Sequence, residues 1–257
     1  MILLILPTVS FTGSLDTNVH FLFLLSTMIS FTFGVIVGKK IQNKTKKNKP
    51  PIFNLTNLNN FTTYAQCLED LILYCIFYDT ENGFYIDAGG YDPHTISVTK
   101  AFYLNGWHGI NIEPIPESYA KFVQFRERDI NLNIGVGEKS DKATLCLRGG
   151  LSSINEKYSK NCKNAINIEV QPLSKICKKY IPKNAEIHFC KIDVEGNERN
   201  VLLGYDFVNY RPKVFCIEAA VPGTTIPSHS EWEDILIKND YSFGIHYRSE
   251  EHTSELQ

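Results

Sequence analysis

The sequence predicts an α/β fold, a doubly wound and mostly parallel sheet with helices on both faces, and three observations predict it. Short apolar, β-branched runs alternate with helical patterns from about residue 63 to residue 247. Four of those runs finish on carboxylates: Asp87, Glu113, Asp193 with Glu195, and Glu218. The first of them is followed by a glycine pair, Gly89-Gly90, as a ligand loop at the carboxyl end of a parallel strand would be.

Thr63 can cap a helix whose apolar face is Leu68, Leu71, Ile72, Cys75 and Ile76, leaving Gln66, Glu69 and Asp70 on the other side. Phe84 to Ile86 reads as a buried strand, and a helix from about Thr95 to Leu104 turns its amide end toward the glycine loop. Gly109 to Ile112 is the next strand, and Glu113 stands at its end. A helix from Glu117 to about Arg126, a strand over Asn131 to Val136 and a hairpin strand Ala143 to Leu147 follow. Gly149 to Asn164 is polar and loop-like. A strand Ile166 to Val170 and a helix Leu173 to Tyr180 lead to the second acidic strand end, Lys191-Ile192-Asp193-Val194-Glu195-Gly196. The helix after it runs to Leu203, with Gly204 as an expected left-handed cap. Val214 to Ile217 ends on Glu218, Glu231 to Ile237 reads as a helix, and Tyr241 to Tyr247 as a strand.

At 257 residues with 43% hydrophobic content the chain can bury one sizeable core. A formal charge of −2 gives no basis for nucleic acid as a partner. The seven cysteines form no C-x-x-C pair and mostly sit in apolar runs, so they are expected to be reduced core residues. Residues 1–20 form an amino-terminal segment, and the uncharged run Phe21 to Gly38 is long enough to cross a bilayer as a single-pass anchor. Lysines crowd the carboxyl side of that run, which places the main domain in the cytoplasm. Asn43-Lys44-Thr45, Asn54-Leu55-Thr56 and Asn60-Phe61-Thr62 are glycosylation acceptor patterns if the orientation is the reverse. Residues 39–60 are a basic linker, 61–247 the folded domain, and 248–257 spell the translation of a common sequencing-library adaptor.

The glycine loop lacks the G-x-G-x-x-G spacing of a dinucleotide site and the Gly-Lys-Ser/Thr ending of a P-loop. Its layout suits a nucleoside with a cationic tail. Asp87 can attract an ammonium or sulfonium group, and Glu113 can take both ribose hydroxyls, which S-adenosylmethionine would supply. The same letters also spell a tight turn with Asp87 as a helix cap, and the loop alone does not choose. Asp193 or Glu195 is the candidate to accept or orient an acceptor hydroxyl; His94 and His229 are weaker bases. Asp193, Glu195 and Glu218 could hold magnesium, but no ligand spacing points to a metal.

Several spaced blocks then resemble one family. Tyr64-Ala65-Gln66-Cys67-Leu68-Glu69-Asp70, Gly83-Phe84-Tyr85-Ile86-Asp87-Ala88-Gly89 and Gly106-Trp107-His108-Gly109-Ile110-Asn111-Ile112-Glu113-Pro114 are similar to FkbM-type S-adenosylmethionine-dependent methyltransferases. So are Arg128-Asp129-Ile130-Asn131-Leu132-Asn133, Lys191 to Gly196, Ile217-Glu218-Ala219 and Pro227 to Glu233. The resemblance implies a Rossmann-like class I methyltransferase fold and methyl transfer, usually to an oxygen of a sugar or natural product, so that the partner is a small-molecule or glycan acceptor. It makes Asp87, Ala88, Gly89 and Gly90 the cofactor loop and Glu113 the ribose acid, and sets Asp193 and Glu195 beside the transferring methyl. Gly90 stands where alanine is more usual, a change expected to be harmless, and the family's last strand is expected to be missing. A membrane-tethered protein that binds S-adenosylmethionine without turnover, and a dehydrogenase, are the other readings. The acceptor and the oligomeric state are not written in the sequence.

Overall fold

The computed structural model describes residues 2–7, 61–160, 162–182 and 185–247. Ten strands appear among them: β1 Ile2–Pro7, β2 Phe84–Ala88, β3 His108–Ile112, β4 Ile130–Leu132, β5 Gly135–Val136, β6 Asp141–Cys146, β7 Ala165–Gln171, β8 Phe189–Ile192, β9 Val214–Glu218 and β10 Tyr241–Tyr247. The helices are α1 Glu69–Ile76, α2 Lys100–Leu104, α3 Pro116–Phe125, α4 Leu173–Tyr180, α5 Glu198–Leu203 and α6 Glu233–Lys238. Seven strands form the main sheet in the order β10-β1-β9-β8-β2-β3-β4. From β9 to β4 every pairing is parallel, with Ile86 between Ile110 and Cys190. The doubly wound α/β architecture expected from the alternation is the one observed.

The strands are apolar on both sides because both sides are covered. Along β2, Tyr85 faces a cluster with Leu73, Phe77, Phe102 and Trp107, whereas Ile86 and Ala88 face the opposite cluster with Leu173, Ile176, Val201 and Leu202. β9 repeats the alternation, with Val214 and Cys216 on the first side and Phe215 and Ile217 on the second. Each fully buried aliphatic or aromatic side chain contributes roughly 1.5–3 kcal/mol. The two clusters clamp the sheet, so its carboxyl edge is a fixed platform.

The hairpin strands do not join this sheet. β6 pairs antiparallel with β7, and β5 parallel with β7, in a separate three-stranded sheet. The expected strand Asn131 to Val136 is broken into β4 and β5, each in a different sheet. The helix expected from Thr95 begins only at Lys100. Around α1 the expected polar side is reversed: Glu69 and Asp70 are buried and Leu68 is 39% exposed. Asp70 accepts from the Thr63 hydroxyl at 2.7 Å and the Tyr64 amide at 2.6 Å, and Glu69 from the Cys67 amide at 2.8 Å. These acids tie the chain before the helix to its first turn, whereas Thr63, expected as the cap, donates instead. Gly204 is not left-handed, with φ −84; a side chain there would meet the Gly137 carbonyl at 2.3 Å.

Two further expectations change. The cysteines are not all reduced: Cys146 and Cys162 form a disulfide, and Cys67, Cys75, Cys177, Cys190 and Cys216 are free. β1 inserts between β9 and β10, antiparallel to both. Ile2–Pro7 therefore belongs to the domain from which residues 1–20 were set apart. The expected anchor at residues 21–38, the linker at 39–60 and the tail at 248–257 lie outside the described residues. No helix among the described residues is long and apolar enough to cross a membrane. Deleting residues 1–7 is expected to lower stability by about 3 kcal/mol or more, from half a dozen ladder hydrogen bonds at 0.5–1.5 kcal/mol each. An unchanged urea midpoint would place the segment outside the sheet.

Candidate active site

A cleft opens at the carboxyl edge of β2, β3 and β8. Gly89, Tyr91, Glu113, Asp193, Glu195 and Asn197 line it, together with aliphatic side chains of β3, β5, β6 and β7. The small sheet is thus one wall, and the loop at Gly149, Gly150 and Ser152 closes over it. Polar groups at one end of an apolar slot are what a nucleoside site needs.

Gly89 has φ +82, and a Cβ there would lie 1.8 Å from the Asp193 carbonyl. The glycine is what lets the β2 and β8 loops touch. Gly90 does not line the cleft; a Cβ there would press to 2.7 Å on the Phe122 ring. The glycine leaves the ring the room that an alanine methyl would take. Ala88 is fully buried in the core, and Asp87, 1% exposed, also lies beneath the cleft.

Asp87 is occupied from within. Its Oδ2 accepts from the Thr99 hydroxyl at 2.9 Å, and its Oδ1 lies 3.4 Å from Lys191 Nζ. Lys191 also donates to the Gly89 carbonyl and stands 3.5 Å from Asp193 Oδ2. Burial works against its charge, but Asp193 and Asp87 outweigh burial and hold it protonated. The attraction that Asp87 was expected to offer a sulfonium is therefore spent on Lys191, and its part is to anchor the loop. Glu113 does line the cleft. Its Oε2 accepts from the Tyr91 amide at 2.7 Å and its Oε1 from the Ile115 amide at 2.7 Å, which joins the β2 and β3 loops. Burial raises its pKa against those bonds.

The acidic end is built on β8 and β9. Asp193 follows β8; Glu195, at φ 54, holds the left-handed backbone that non-glycine residues seldom adopt. Ser153 donates to the Glu195 carbonyl at 2.7 Å, and Asn155 donates to that of Gly196. Glu198 accepts from the Val194 and Gly196 amides at 3.1 Å each. The Gly196 α-carbon packs on the Tyr158 ring, where a Cβ would meet it at 2.2 Å. Burial, then Asp193 and Glu198, push the Glu195 carboxyl up to about 8; burial raises Glu198 to about 7 and Glu218 well above the carboxylate range. His94 stacks edge-on to Phe125 and His229 on Phe243, and neither lines the cleft.

The motif Asp129-Ile130-Asn131-Leu132-Asn133 acts from behind. Asp129 accepts from the Tyr85 hydroxyl at 2.6 Å and the Asn111 amide at 2.8 Å, while Asn133 donates to the Glu113 carbonyl at 3.0 Å. Its period-two spacing was the available signal. For Lys191 the signal was one lysine inside a buried apolar run, which must be paired. Nothing in the sequence marked Ser153 or Asn155.

A profile described as the methyltransferase FkbM domain matches residues 87–243, more than half of the chain. No curated protein matches it. Among solved structures it is similar to the crystal structure of a methyltransferase FkbM from Methylobacillus flagellatus KT. The identity is 15% and the TM-score 0.29, over 48% of this chain and 28% of that one. The chain thus spans well under two thirds of that protein. From the match over β2 to β10, the chain belongs to the FkbM methyltransferase family.

Proposed function

We propose that this chain transfers the methyl group of S-adenosylmethionine to a hydroxyl oxygen of a sugar or other small-molecule or glycan acceptor. The observation that carries the reading is one cleft with two chemistries: the Gly89 backbone and Glu113 at one side, Asp193 and Glu195 at the other. Glu113 keeps lone pairs beyond its two amide bonds and takes the ribose hydroxyls. The apolar slot takes the adenine.

Methyl transfer is an in-line displacement, so most of the rate comes from holding the oxygen against the methyl carbon. As the O–CH3 bond forms and the S–CH3 bond breaks, the sulfonium becomes a neutral thioether and the hydroxyl proton must leave. Glu195 receives it, as the carboxylate that lines the cleft beside Asp193. Asp193 orients the hydroxyl.

Calorimetry tests the cofactor half. Glu113→Ala is expected to raise the Kd for S-adenosylmethionine about tenfold or more, and unchanged uptake by a folded variant would sink the reading. Glu195→Gln is expected to leave uptake intact and to slow S-adenosylhomocysteine formation roughly 100-fold or more.

A further inference from the structure

Asp193, Glu195 and Glu218 each bring one carboxylate oxygen to within 4.8 Å of the others. Adjacent parallel strands explain the meeting, since Ile192 pairs with Ile217 and the acids follow directly. Oxygens on opposite sides of a six-coordinate ion stand about 4.2 Å apart around Mg²⁺ and about 5 Å apart around a larger ion. The triangle has the size of one ion.

A second observation is independent of that spacing. Oε2 of Glu195 and Oε2 of Glu218 are shut off from solvent and have no hydrogen-bond partner. Buried carboxylate oxygens are costly when left unmatched. The ammonium nearest to the group, Lys191, stands 3.5 Å from Asp193 and is shared with Asp87 and the Gly89 carbonyl. Glu198, buried beside them, adds a further acid whose Oε1 is already engaged by two backbone amides. Carboxyl groups outnumber ammonium groups there, and the unmatched donors are all oxygens.

We infer that Asp193, Glu195 and Glu218 hold one hard divalent cation of the Mg²⁺ or Mn²⁺ kind at the acceptor side of the cleft. An all-oxygen donor set suits such ions and disfavours soft ones. Asp193 and Glu195 line the cleft, so the ion can be reached from it. There it takes the acceptor hydroxyl as a further ligand and eases loss of its proton. The second oxygen of each ligating carboxylate stays available for that proton. The catalytic role rests on the methyl-transfer reading; the binding does not.

Mn²⁺ titrated into the metal-free full chain, with free ion read by electron paramagnetic resonance, tests the site. One Mn²⁺ per chain is expected, displaced by Mg²⁺, with Kd raised about tenfold or more in Glu218→Gln and in Asp193→Asn. Glu186→Gln, at an exposed acid paired with Lys213, is expected to bind as the parent does. Glu218→Gln replaces a buried carboxyl by an amide of the same shape, so its metal-free melting temperature should equal or exceed the parent's, while added Mn²⁺ raises only the parent's. No uptake by the folded chain, or equal uptake by the folded Glu218→Gln and Asp193→Asn variants, overturns the site. Uptake of S-adenosylmethionine by the same samples separates the two ideas. Cofactor binding without Mn²⁺ binding removes the ion alone, and the converse removes the methyl-transfer reading.

Discussion

An alanine at position 89 is expected to abolish uptake of S-adenosylmethionine and to cost on the order of 4 kcal/mol of stability. Two penalties add. The backbone at φ +82 is a conformation that L side chains rarely adopt, and the new methyl would lie 1.8 Å from the Asp193 carbonyl. That carbonyl is backbone, so relief requires the β2 and β8 loops to part. Their parting would also stretch Lys191 away from the Gly89 carbonyl and Asp87. Chemical denaturation and calorimetry read the two effects separately. An alanine variant that folds and binds as the parent does would show that the loops do not touch.

Arg126→Ala should be as damaging, with a loss of about 5 kcal/mol, although Arg126 lies outside the cleft. Its guanidinium is 1% exposed. It donates to the Pro93 carbonyl at 2.8 Å, the Ser97 hydroxyl at 3.0 Å, and the Thr99 carbonyl and Tyr85 hydroxyl at 3.4 Å. Truncation would orphan those groups, open a cavity and leave the buried Asp129 without its neighbouring cation. Because Thr99 in turn holds Asp87, the loop that carries Gly89 would loosen as well. Arg126→Lys is expected to recover only part of the loss, since an ammonium cannot fork toward several acceptors. Urea unfolding checks both variants, and a loss below about 1 kcal/mol for the alanine would contradict the network.

The sheet was legible because strands covered on both faces are written as apolar runs, such as Phe84 to Ile86 and Val214 to Ile217, in which the period-two alternation serves two cores. The strand-end acids were legible for the same reason, since each interrupts such a run at its carboxyl end. What those acids face was not. Asp87 is paired with Lys191 through strand pairing between residues far apart in sequence, and a residue-by-residue reading does not see partners across a sheet. Glu69 and Asp70 mislead in the same way: by helical phase they belong to solvent, and chain preceding the helix folds back to bury them. The Cys146–Cys162 bond was missed because Cys162 lies in a polar loop whose path carries no periodic signal.

β1 carries a practical corollary. Ile2 is opposite Glu218 on one side and Tyr247 on the other, so both the start of β1 and the end of β10 leave through the edge where the acids stand. Pro7, opposite Tyr241, leaves at the far edge. A purification handle joined directly before Ile2 or after Tyr247 would start at the edge where the acids stand, whereas one inserted just after Pro7 would start at the far edge.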